Sequence, residues 1–155
     1  TDTLYGAVGI DINVDHIALC ETNMDGNIVL IKKYPIHKEN TKNKRNEELY
    51  QLAIEIMEFC KSKKKSLVVE DLNFKQLKTR MLYRPKKNKA LSSFAYKKML
   101  EKLERKCIMN EVDVIKVDPK NTSKIGKEKY TKIKGLSVHY CAAYVINRRG
   151  MGFVD

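Results

Sequence analysis

Three side chains far apart in the chain are candidates for chemistry: Asp11 in "GIDIN", Glu70 in "VVEDLNF" and His139 in "GLSVHYCAAYVINRRG". Two carboxylates brought side by side repel each other, so they either share a proton or hold a cation. Mg²⁺ or Mn²⁺ suits such a pair, because both ions take oxygen ligands and often bridge protein to phosphate. Two such ions roughly 3.5–4 Å apart would activate a water and stabilise the leaving oxygen in phosphodiester hydrolysis. The competing assignments are plainer. An Asp at a strand end is often a cap or turn former, "VVED" reads equally as a solvated strand end, and a single histidine opening an apolar helix is usually a hydrogen-bonded structural residue. As a neutral imidazole, His139 would otherwise bind a metal or orient a water.

The carboxylates meet only if the elements around them do. "LYGAVGIDIN" alternates, with Val8, Ile10 and Ile12 on one face and Ala7, Gly9 and Asp11 on the other, as a strand does. "HIALCET" and "IVLIKKY" flank "NMDGN", where Asp25-Gly26 supplies the positive φ of a tight turn, so a hairpin follows. Leu49, Leu52, Ala53, Ile56, Met57 and Cys60 keep helical spacing over Glu47–Cys60. "SLVVEDLNF" is the nearly continuous apolar run of a strand buried on both faces, with Glu70 and Asp71 at its end. Successive strand side chains alternate, so Asp71 is expected to point away from Glu70. Lys75 to Lys89, interrupted by Tyr83 and Pro85, reads as a basic connection. A helix from about Leu91 to Cys107, the strand "DVIKVDP", a Lys-rich loop and a last helix ending at Arg148-Arg149-Gly150 complete the chain. Asp118, before Pro119, reads as a turn former.

That order predicts an α/β, ribonuclease H-like fold, a mixed five-stranded sheet flanked by helices. In it the ends of the first and fourth strands lie together, which brings Asp11 beside Glu70, and the last helix packs over the same edge.

Composition bounds the rest. The 155 residues make one domain, read as a piece of a longer protein. A net charge of +12 concentrates polyanions, so nucleic acid is the expected partner, and solubilising charge with no partner is the plain alternative. Lys75, Lys78, Arg80, Arg84, Lys86, Lys87 and Lys89 would follow a phosphate backbone with little sequence readout. Arg148 and Arg149 either complement the end of the last helix or contact phosphate. Cys20, Cys60, Cys107 and Cys141 form no paired C-x-x-C unit, so zinc is not expected and the thiols read as reduced and buried. No apolar run is long enough to span a membrane and no signal peptide opens the sequence, so a cytoplasmic protein without a membrane partner is expected. His16 and His37 read as strand or surface residues.

"GIDIN", "VVEDLNF", "KALSSFAYKKMLEKLERKC", "VIKVDPKNTSKIG" and "GLSVHYCAAYVINRRGMGF" resemble, in order and spacing, the RuvC-type nuclease region of the transposon-encoded TnpB family, over about Tyr5 to Phe153. The resemblance implies a metal-dependent DNA endonuclease in which Asp11 and Glu70 bind catalytic Mg²⁺ or Mn²⁺. Family members place a third acid at the start of the last helix, in a pattern resembling D-x-N-A-A. Here "HYCAA" puts His139 in the acid's place and Cys141 in that of the Asn. RuvC resolvases use a histidine near this position, so the resemblance makes His139 the third catalytic and metal-binding residue. A four-cysteine zinc ribbon usual in the family is replaced by "KIGKEKYTKIKGLSVH", as in the branch that carries "TS-x-IG-x-x-KY". A guide RNA would enter only through an N-terminal half that precedes this region in full-length relatives.

Two other classes compete. A catalytically degenerate ribonuclease H-fold domain would bind nucleic acid or regulate without cutting it, since imidazole in place of carboxylate removes a negative charge that Mg²⁺ needs. "GIDINVDHIALCETNMDGNIV" also looks like the first phosphate motif of actin-like sugar kinases, but 155 residues and 7 Gly leave no room for their second domain and further glycine-rich motifs.

Overall fold

The computed structural model describes residues 3–13, 15–37, 41–82, 93–131 and 137–154. Five strands form one sheet: β1 (Ala7–Ile12), β2 (His16–Thr22), β3 (Ile28–Pro35), β4 (Ser66–Glu70) and β5 (Val114–Val117). Their order is β3-β2-β1-β4-β5. β1 pairs β2 and β2 pairs β3 antiparallel, whereas β1–β4 and β4–β5 are parallel. The expected mixed five-stranded sheet is therefore present. The hairpin closes as the Asp-Gly pair predicts, with Gly26 at φ +77° and the Asn23 side-chain oxygen accepting from the backbone amides of Asp25 and Asn27.

α1 (Lys42–Lys63) begins where Thr41 accepts from the amide of Lys44 and ends with Lys64 in the left-handed conformation. Its buried residues are the six read from helical spacing. α1 packs with α2 (Phe74–Leu82) and α3 (Ser93–Met109) against Val8, Ile10, Ile12, Leu67 and Val69, on one face of the sheet. The other face is covered by α5 (Val138–Gly150) and by α4 (Thr122–Ile125), which runs on as a π-helical turn, Gly126–Tyr130.

Two expectations need correction. Residues 75–89 are not simply a connection: α2 occupies the first part, because Leu77 buries itself in the core and the Asn73 and Gln76 side chains exchange hydrogen bonds with each other's amides as a capping pair. The Lys-rich stretch after β5 is likewise not all loop, since Thr122, Gly126 and Tyr130 are buried against α5 while the lysines between them face water.

α5 lies very close to the sheet. A side chain at Gly9 would come within 2.6 Å of the Ala143 carbonyl oxygen, and one at Gly150 within 2.4 Å of Val68. Asn147, fully buried, donates to the carbonyls of Ala7 and Cys20 at 2.8 Å each and accepts from the Thr22 hydroxyl at 2.8 Å. Asn147→Ala is expected to cost about 2–3 kcal/mol in urea unfolding, because three buried hydrogen bonds are lost at once. A change below about 0.5 kcal/mol would show that α5 is held by apolar packing alone.

Candidate active site

Asp11 and Glu70 reach one edge of the sheet for a simple geometric reason. β1 and β4 run parallel with Ala7 opposite Ser66, Val8 opposite Leu67 and Gly9 opposite Val68, and the same offset carries Asp11 to Glu70. Alternation then puts both on the face of Gly9 and Val68, under α5. Both are nearly excluded from water, at 5% and 4% exposure. Such a carboxylate needs donors or a cation. Thr122 Oγ1 lies 3.4 Å from Glu70 Oε2, and Asn13 Nδ2 lies 3.2 Å from Asp11 Oδ2. Asp71 is exposed beyond the end of β4, and the Asp118 side chain accepts from the Lys120 amide, the turn geometry its sequence predicts.

α5 delivers His139 to the same edge. Asn147 touches Ala7, Ala143 faces Gly9, and His139 meets His16, so the helix runs against β1 and its first turn arrives where β1 ends. The rings of His16 and His139 stand edge to face, 4.4 Å apart at 78°. Among the described residues no three His, Cys, Asp or Glu side chains converge as a ready-made metal cluster. The described residues thus offer two buried carboxylates at the ends of neighbouring strands and a histidine pair linked to Asp11 through Asn13, and no preformed three-ligand cage.

Three residues of this edge gain a role only from the structure. His16, a strand or surface residue by sequence alone, is 4% exposed, with Nδ1 2.7 Å from Asp15 Oδ1 and Nε2 3.2 Å from Asn13 Nδ2. Asn13 and Thr122 are the others. The one sequence signal for His16 is parity: it shares a β2 face with Ala18 and Cys20, which pack on α5. Burial pushes the Asp15 carboxyl upward, but the hydrogen bond to His16, with Lys33 nearby, outweighs it and holds the group below its usual range.

The basic residues separate into three groups. Lys75 and Lys78 are exposed on α2, which begins just past the end of β4. Arg84, Lys86, Lys87 and Lys89, with the side chain of Arg80, lie outside the described residues. Arg148 stacks between Tyr144 and Phe153, 5.6 and 4.5 Å from the ring centres, and reaches the Gly26 carbonyl. Arg149 donates to the carbonyls of Asp118 and Lys120 at 2.6 and 2.8 Å. Both arginines therefore fasten α5 to neighbouring turns. His37 is exposed and paired with Glu48.

With this geometry established, comparison with solved structures gives the class of the fold. Thermus thermophilus RuvC in complex with a Holliday junction substrate superposes with a TM-score of 0.63 at 15% identity, covering 91% of this chain and 90% of that one. A further Thermus thermophilus RuvC structure gives 0.60 at 15% identity, over 94% and 96%. The Cas12f1–sgRNA–target DNA complex gives 0.59 at 16% identity, over 95% of this chain and 50% of that one, so this chain spans about half of Cas12f1. The fold is RuvC-type, ribonuclease H-like. No protein-family model and no curated protein sequence matches the chain.

All four cysteines are free and buried. Burial raises the thiol of Cys20 to about 12, and that of Cys107 to about 12, and it also raises Cys60 and Cys141. A thiol-specific reagent at pH 8 is therefore expected to label none of them in the folded protein and all four in urea. Because these folded values exceed the unfolded ones, the unfolded state loses protons first and stability falls as pH rises through 9 toward 12. The urea midpoint checks this.

Proposed function

We propose that the chain is a RuvC-like, metal-dependent DNA endonuclease domain of TnpB type, with Asp11 and Glu70 as cation ligands and His139 as the water-orienting group. One observation carries the reading: two buried carboxylates end adjacent parallel strands, on the same face by register, in a RuvC-type fold. Such a pair of oxygen donors suits Mg²⁺ or Mn²⁺, which commonly hold one or two carboxylates and complete their shell with water and substrate phosphate. When bound, such ions supply charge neutralisation at the scissile phosphate and a more acidic water.

The chain's own residues do the remainder. Thr122 and Asn13 orient the two carboxylates through the hydrogen bonds above. His139, half-buried at the start of α5, would orient the attacking water through a ring nitrogen. Lys75 and Lys78 lie on the helix leaving β4, where the DNA backbone would pass. RuvC solved with a Holliday junction and Cas12f1 solved with target DNA support DNA as the substrate. TnpB origin rests on the sequence motifs, and a guide RNA on regions outside this chain.

A second reading, nucleic-acid binding without cleavage, is favoured by one observation: the described residues present no preformed three-ligand cluster. Supercoiled plasmid with Mn²⁺ separates the two. The nuclease reading expects nicking that falls at least about 100-fold in Asp11→Asn and in Glu70→Gln, together with roughly tenfold or greater weakening of Mn²⁺ binding by titration calorimetry. Equal Mn²⁺ binding by wild type and Asp11→Asn, with DNA affinity intact, leaves the binding-domain reading.

Independently of cleavage, Lys75→Gln with Lys78→Gln is expected to weaken DNA binding and flatten its log–log salt dependence by about 2, roughly one for each phosphate no longer neutralised. Fluorescence anisotropy across a salt series measures it.

A further inference from the structure

We infer that His16 is a positioning residue: held in one tautomer by Asp15, it aims the Asn13 amide at Asp11 and so sets the cation affinity of that carboxylate. The inference rests on Asp11 being a cation ligand, as proposed above.

Donor and acceptor counting at one atom carries it. Asn13 Nδ2 lies 3.3 Å from the Asp11 carbonyl oxygen, 3.2 Å from Asp11 Oδ2 and 3.2 Å from His16 Nε2. A carbonyl and a carboxylate oxygen only accept, so the group facing them is the amide nitrogen and not its oxygen. That nitrogen only donates, so His16 Nε2 accepts. A neutral imidazole that accepts at Nε2 carries its proton on Nδ1, and Nδ1 lies 2.7 Å from Asp15 Oδ1. Every group in the row is thereby satisfied in one direction: His16 donates to Asp15, and Asn13 donates to both His16 and Asp11.

The row has a definite alternative. With the proton on Nε2, two donors would meet at Asn13, and its amide would turn its oxygen to His16 and withdraw the donor from Asp11. Asp15, whose side chain is 62% exposed, is what selects between these states. His16 and Asp11 are nearly dry, at 4% and 5% exposure, so bulk water has little access to replace the lost bond. The Asn13 bond to Oδ2 fixes the plane of the carboxylate that would hold the cation. His16 also braces the ring of His139. Partners of this outer kind usually change metal affinity by about 10–100-fold.

The test uses the full chain and Mn²⁺ as the probe. Titration calorimetry compares wild type, Asp11→Asn, Asp15→Ala, Asn13→Ala and the Asp15→Ala/Asn13→Ala double variant. Nitrogen-15 NMR reads the His16 tautomer, and circular dichroism confirms the fold. Expected are a single Nδ1-protonated tautomer in wild type, its loss in Asp15→Ala, lost Mn²⁺ binding in Asp11→Asn, about tenfold weaker Mn²⁺ binding in Asp15→Ala and in Asn13→Ala, and a double variant no weaker than Asn13→Ala alone. That last result identifies one line of action, since independent sites would multiply. Asp15 is mostly exposed, so its variant keeps the test alive should Asn13→Ala fold poorly. Lost binding in Asp11→Asn with binding within about twofold of wild type in Asp15→Ala overturns the inference alone. Unchanged binding in Asp11→Asn overturns the cation reading and the inference with it.

Discussion

The packing on which the rest of the molecule depends is the close crossing of α5 over β1. It needs an absent side chain and a present one: Gly9, where any Cβ would strike the helix backbone, and Asn147, whose amide binds carbonyls on β1 and β2 and the Thr22 hydroxyl. A helix this close cannot slide, because Gly150 meets Val68 at one end and Gly126 of the π-helical turn meets Cys141 near the other. The register of α5 is therefore fixed to that of β1. Its first turn, with His139, has no choice but to stand at the end of the strand that carries Asp11.

The same packing explains the segment between β5 and α5. Thr122 turns inward to Glu70, Gly126 permits close approach to the backbone of α5, and Tyr130 stacks edge to face on Tyr144 at 4.8 Å. These are positions of the "TS-x-IG-x-x-KY" pattern, which thus acquires a physical meaning. It couples the placement of the Glu70 carboxylate to the anchoring of the helix that bears His139. Arg148 and Arg149, both drawn onto neighbouring turns, close the other end of that helix.

Much of this is legible in the sequence, for reasons that can be named. Alternation in β1 separates the apolar face from the Ala7, Gly9 and Asp11 face, and the Asp-Gly turn and the α1 stripe are strong local signals. α2 and α4 escape such a reading because each is short and carries basic residues, nine residues in α2 and four in α4, and their anchors among the described side chains, Leu77 and Thr122, lie in stretches that read as basic loop. His16 escapes it for another reason. Its role depends on Asn13, three residues away across a tight reversal, and on a helix more than a hundred residues later, so no window of sequence contains both partners.

His139 at the start of α5 has a structural companion. A neutral imidazole there brings no negative charge of its own to the edge that Asp11 and Glu70 share. Beside it stands a second imidazole, and beyond that the Asp15 carboxylate, ionised and paired with His16 at the rim of the edge. One negative charge is thereby kept near the site, displaced outward by the length of an imidazole and joined to Asp11 through Asn13. At that distance its Coulomb attraction for an ion is weaker than that of a direct ligand, since it falls with separation and is screened where Asp15 meets water. What it would retain, on the inference drawn above, is directional control over the Asp11 oxygens. On the proposed reading, a cation site at this edge would depend less on total charge and more on geometry, which would favour Mn²⁺, with its greater tolerance of nitrogen donors, over Mg²⁺, which dehydrates reluctantly.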